Sequence, residues 1–92
     1  IDVLVKDESI WTTQKAMSEL FGCRVDNISV HLKNIYESNE LQRNRTIEEI
    51  PIVRQEGSRK IIRKIAYYNL DAIISVGYRV NSHVATEYKL AI

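Results

Sequence analysis

The chain has 92 residues, enough for one small domain with one core, so a single domain over residues 1–92 is expected. Its 45% hydrophobic and 27% charged content is that of a globular chain and argues against disorder. No apolar run approaches a membrane span and no signal-peptide pattern is present. The net charge of +1 does not announce a nucleic-acid partner, so any basic character must come from local distribution.

The chain opens at Ile1 rather than Met, and a fragment of a longer protein is the expectation. Ile1 to Val5 reads as a strand, with Ile1, Val3 and Val5 alternating against Asp2 and Leu4. Lys6-Asp7-Glu8-Ser9 is a polar turn, and Ile10 and Trp11 begin a short returning strand. Trp11 is read as a core anchor rather than a ligand platform.

Gln14 to Lys33 reads as two short helices joined by a tight turn. Thr12 and Thr13 can cap the first helix, because a hydroxyl accepts from the orphan amides of a first turn. Met17, Leu20 and Phe21 recur at helical spacing as its apolar face. Gly22 can end it in a left-handed conformation. Small Ser18 permits close helix approach, and Cys23 and Ile28 can lock the second helix against the first. As the only cysteine, Cys23 excludes an internal disulfide, suits a reducing compartment and reads as a buried structural thiol.

The second helix is expected to start near Val25 or Asp26 and to run to about Tyr36 or Ser38. Ile28, Leu32 and Ile35 form its buried face, and Asp26, Ser29, Val30, Lys33 and Asn34 its opposite face. Such a pair is a helix-turn-helix, whose second helix can lie in the DNA major groove, or an ordinary helical hairpin. Asn39 is a candidate C-terminal cap, and Leu41 can fold back onto the core.

From Thr46 to Leu70 the period changes to that of strands. Ile50, Ile52 and Val53 lie in one extended segment, and Ile61, Ile62, Ile65, Tyr67 and Tyr68 in another. Gln55-Glu56-Gly57-Ser58 is the turn between them. Pro51 lacks an amide donor, so its strand should be an edge or carry a bulge. Between residues 54 and 64, Arg54, Arg59, Lys60, Arg63 and Lys64 stand against Glu56 alone. A basic hairpin after a helix-turn-helix suits a phosphate-touching wing, and equally a solvated edge strand guarded by charge. Asn69 can cap a third helix with Leu70, Ile73, Ile74 and Val76 buried. Gly77 to Asn81 interrupts that pattern. Asn81 or Ser82 can cap a final segment that buries Val84, Ala85 and Tyr88.

Three stretches together resemble the RhuM family of bacterial virulence-associated proteins, in its N-terminal region. They are Trp11-Thr12-Thr13-Gln14 leading into Glu19-Leu20-Phe21-Gly22, then Ile28-Ser29-Val30-His31-Leu32-Lys33-Asn34-Ile35, and Tyr68 through Ser82. The resemblance extends over nearly the whole chain and its last stretch is the most distinctive. It implies a cytoplasmic bacterial protein, often carried on mobile DNA, with a DNA-binding role as the family's expected one. Tyr88-Lys89-Leu90-Ala91-Ile92 departs from the family's usual pattern, which brings a tryptophan near the end.

No catalytic constellation emerges, so no enzyme and no cofactor is expected. One cysteine with His31 and His83 does not make a zinc site, and three isolated glycines do not make a phosphate loop. Glu48 and Glu49 are adjacent, so in a strand they point to opposite faces. The expected fold is α+β: a winged-helix-like helix-turn-helix with an N-terminal β-hairpin, a basic β-hairpin wing and C-terminal helices. The expected partner is double-stranded DNA, with a role in transcription regulation and room for a homodimer; no membrane or small-molecule ligand is evident. Arg24, Asp26, Asn27, Ser29 and Val30 are expected at base edges, with Arg24 suited to guanine, Asn27 to adenine and Val30 to a thymine methyl. Lys33, Arg59, Lys60 and Arg63 are expected at phosphates. Two rivals stand beside this: a protein-interaction or dimerisation module, and a targeting domain of a larger enzyme.

Overall fold

The computed structural model describes residues 3–80. Over them the chain is α+β, with four helices and a four-stranded antiparallel sheet ordered β1-β2-β4-β3. β1 (Val3–Lys6) and β2 (Ser9–Thr12) form the first hairpin. Its turn residues Asp7 and Glu8 both have positive φ, 51° and 59°, the backbone whose twist suits a two-residue hairpin. Trp11 is buried and its Nε1 donates to the Lys6 carbonyl at 3.0 Å, so it anchors as expected. The expected alternation is reversed. Leu4 is registered with Trp11, and that shared face turns inward, while Val3 and Val5 are exposed.

Thr13 caps α1 (Gln14–Phe21), its Oγ1 accepting from the Ala16 amide at 3.1 Å. Gly22 ends the helix at φ 64°, and the Gly22 and Cys23 amides both reach the Ser18 carbonyl. Met17 is fully buried and Phe21 packs on the core, but Leu20 is 60% exposed. Met17 and Phe21 are four apart and face the next helix. Leu20 sits a third of a turn away, above Ala16, and belongs to a different surface.

The start of α2 (Val25–Glu37) lies where expected, and Ile28, Leu32 and Ile35 are buried along it. Asn39 takes φ 59°, and the Glu40 amide returns to the Ile35 carbonyl at 3.0 Å, a left-handed helix exit. Leu41 packs against the core. A one-turn helix that the sequence reading did not anticipate, α3 (Arg43–Thr46), follows.

β3 (Ile47–Glu56) and β4 (Arg59–Tyr68) pair over ten positions, from Ile47 opposite Tyr68 to Glu56 opposite Arg59. Gly57, at φ 62°, makes the turn. β3 is a sheet edge, which accommodates Pro51. The ladder between this hairpin and the first is the single pair Thr12 and Tyr68, and the Lys6 ammonium also pairs with the Glu48 carboxylate across the two hairpins. Most of its length therefore projects. The radius of gyration is 15.2 Å and the extents are 57 × 25 × 25 Å, against about 12 Å for a compact chain of this length.

Asn69 caps α4 (Leu70–Val80), its Oδ1 accepting from the Ala72 amide at 3.2 Å. The buried side is Ala72 and Val76, with Ile73 half-buried, whereas Leu70 and Ile74 are exposed, contrary to expectation. Gly77 does not interrupt the helix. A Cβ there would lie 3.1 Å from two carbons of the Phe21 ring, so the glycine lets α1 and α4 meet. Met17, Ile28, Leu32, Ile35, Tyr36, Tyr68, Ala72 and Val76 form one core between α1, α2, α4 and the base of β4. The final segment expected from Asn81 onward lies outside the described residues.

Candidate nucleic-acid interface

The buried stripe Ile28, Leu32 and Ile35 fixes the roll of α2 and so decides what it shows to solvent. Arg24, Asp26, Asn27, Ser29, Val30 and Lys33 are all exposed, and Val30 is 56% exposed despite being aliphatic. Helical spacing sorts them into two flanks. Asp26, Ser29 and Lys33 run along one; Asn27, Val30 and Asn34 run along the other. Arg24 is the extended residue before the helix and makes no side-chain cap. Its Nη2 lies 3.5 Å from Asp26 Oδ2, and Lys33 Nζ lies 4.0 Å from Glu37 Oε1. Both pairs are exposed, so each holds its cation weakly and can yield it to a phosphate.

The hairpin residues are also exposed, but the register separates them. Arg54, Arg59 and Arg63 share one face with Ile50, Ile52, Ile61 and Ile65. Lys60 and Lys64 lie on the other, beside the exposed cross-strand pair Val53 and Ile62. Arg59 and Lys60 adjoin the turn, and Arg63 Nη2 lies 3.6 Å from Glu56 Oε1. The α2 set and the hairpin set are thus two surfaces joined through the hairpin base.

At that base lies a notch of about 160 Å³. One wall is the α2 stripe Ser29, Leu32, Lys33 and Tyr36; the other is Gln14, Arg43 and Tyr68. The Arg43 guanidinium stands 4.9 Å from the centroid of the Tyr36 ring, a cation–π distance. Gln14 Nε2 donates to the Tyr68 hydroxyl at 2.9 Å. Thr46 Oγ1 donates to the Gln42 carbonyl at 2.8 Å, so the Tyr36 hydroxyl is the donor in its 2.8 Å bond to Thr46. Burial raises the Tyr36 pKa above 10.0, opposed by the Thr46 bond and the Arg43 charge. From sequence alone no site role falls to Gln14 or Arg43, and Tyr68 reads as a core or rim residue. The one available signal was Arg43 and Arg45 together just before a strand.

A second concavity, about 260 Å³, has an almost wholly apolar lining. Val3 and Ile10 of the first hairpin, Ala16 and Leu20 of α1, and Leu70 and Ile73 of α4 meet there. Among the described residues no group of three or more His, Cys, Asp or Glu is placed to hold a metal. No helix among them is long and apolar enough to cross a membrane.

Residues 45–91 match the family described as Virulence protein RhuM. The match takes in β3, β4 and α4 but not α1 or α2, so it spans one of the three stretches quoted above. No curated protein and no solved structure matches the chain.

Proposed function

The chain belongs to the Virulence protein RhuM family, and we propose that it is a double-stranded-DNA-binding member, a cytoplasmic, non-enzymatic protein of winged-helix type. In this reading α1 and α2 are the helix-turn-helix and α2 enters the major groove. Arg24, Asp26, Asn27, Ser29 and Val30 face base edges. Lys33 and the wing residues Arg59, Lys60 and Arg63 face phosphates.

The observation that carries this is the distribution of charge. Residues 54–64, the outer part of the hairpin, hold five cations against Glu56, whereas the rest of the chain has eight Lys and Arg against eleven Asp and Glu. Four net positive charges thus sit on the outer part of the projecting arm, and Glu48 and Glu49 near its base bring the whole hairpin to two. A solvated edge strand needs one or two charges for protection, not five on both faces. The test is fluorescence-anisotropy binding to random duplex DNA across a salt series. Affinity that falls steeply with salt supports the reading; no binding at low salt by a folded chain refutes it.

The apolar groove between the first hairpin, α1 and α4 favours a second role beside this one, a protein contact such as a homodimer. Leu20, Leu70 and Ile10 are 60%, 42% and 42% exposed around it, a cluster that water does not favour. The acidic outer face on α2 that a purely protein-binding module would favour is absent, since Asp26 and Glu37 each stand beside a cation. Light scattering after size-exclusion chromatography would show whether Leu20→Asp changes the mass in solution.

A further inference from the structure

We propose that the notch at the base of the hairpin is a seat for one phosphate of the DNA backbone, the contact that links the α2 surface to the wing. This rests on the DNA-binding reading and adds a site to it.

The notch is lined by donors. Lys33 and Arg43 bring two positive charges, and no carboxylate lines it. The nearest ion pair is that of Lys33 with Glu37, at 4.0 Å; among the described residues no ion pair involves Arg43. Arg43 is held over Tyr36, which fixes the guanidinium plane without consuming its N–H groups. Tyr68 is only 6% exposed, and its hydroxyl accepts from Gln14, which leaves the hydroxyl proton free to donate. Ser29 adds a rotatable hydroxyl.

Size and position also fit. A water takes about 30 Å³ of liquid volume, so about 160 Å³ admits an oxyanion with a few waters. Ser29 and Lys33 lie on α2, and Tyr68 pairs with Ile47 where the hairpin leaves the core. A backbone strand that runs from a groove-borne α2 toward the wing passes over this point.

The test begins with inorganic phosphate on the unaltered, isotopically labelled chain. Its titration should shift the Gln14 side-chain amide and the Ser29 and Lys33 backbone resonances, and duplex DNA should displace it. No shift at these groups overturns the seat. Phosphate that stays bound in the presence of duplex also overturns it, because the site would then serve a free anion. The second arm is Arg43→Gln in the anisotropy salt series. The expected result is about tenfold weaker binding and a salt slope shallower by about 0.9, one phosphate contact. Arg43→Lys should keep the slope. Unchanged affinity and slope in Arg43→Gln overturn the seat and leave the DNA-binding reading intact. Failure of the unaltered chain to bind DNA overturns both.

Discussion

Replacing Arg59 and Lys60 together by alanine isolates the tip of the arm from the rest of the surface. Both side chains are exposed and adjoin the turn, on opposite faces of the hairpin. Neither makes an ion pair among the described residues. Their loss should therefore leave stability within about 0.5 kcal/mol. If each contacts one phosphate, the slope of log affinity against log salt should flatten by about 1.8, at about 0.9 per contact. Over a fourfold rise in salt, from about 50 to about 200 mM, the advantage of the unaltered chain should shrink by about twelvefold. The effect should be equal on unrelated duplex sequences, because phosphates carry no sequence information. Anisotropy titrations of both proteins at four salt concentrations, on two duplexes, measure all of this. Equal slopes would refute the wing as a phosphate-contacting element, whatever the affinities.

Glu56→Gln removes the acid that stands 3.6 Å from Arg63, so the same assay should show tighter binding and a slope steeper by up to about 0.9. Met17→Ala should cost about 2–5 kcal/mol in urea denaturation, because Met17 is fully buried. Leu20→Ser, three residues on, should stay within about 0.5 kcal/mol, as its side chain is 60% exposed. Similar losses in both would show that Leu20 is packed after all. The Tyr36 pKa is raised above 10.0 in the folded chain, so its contribution is fully present below pH 10.0 and is lost as pH rises through the folded value. Stability followed by circular dichroism should decline above pH 10.0, in step with phenolate absorbance, and Tyr36→Phe should weaken that decline.

Local chemistry was legible. Thr13, Gly22, Asn39, Gly57 and Asn69 act through their own backbone or the next turn, and each does what its residue type dictates. The α2 face was legible too, because Ile28, Leu32 and Ile35 leave no other roll. Where a segment has two apolar surfaces, periodicity cannot say which one is covered. Leu20, Ile74 and the valines of β1 were misplaced for that reason: each is periodic with a buried neighbour yet lies on the open side. Gly77 reads as a breaker in sequence, and only the approach of Phe21 from another helix explains it. The notch was invisible because Gln14, Lys33, Arg43 and Tyr68 come from four elements. The pairing of Thr12 with Tyr68, 56 residues apart, brings Tyr68 to the start of α1 beside Gln14.

The length of the arm constrains how these surfaces work together. Nine steps separate Tyr68 from Arg59, about 30 Å at about 3.4 Å each. A turn of B-DNA is about 34–36 Å. If the chain binds DNA as proposed, a seat at the hairpin base and cations at its tip would sample phosphates nearly one turn apart, on the same side of the duplex. An isolated two-stranded hairpin is marginal in water, and this one is joined to the rest of the sheet by one ladder pair and the Lys6–Glu48 ion pair near its base. Its aliphatic residues Ile50 and Ile65 face each other across the strands and hold the register, while Val53 and Ile62 pair on the opposite face. The arm is thus ordered enough to present Arg59 and Lys60 at a defined reach, and lightly enough anchored to settle along a groove. On this reading α2, whose cations already stand beside Asp26 and Glu37, selects the site. The arm would then supply the field that brings the chain to DNA.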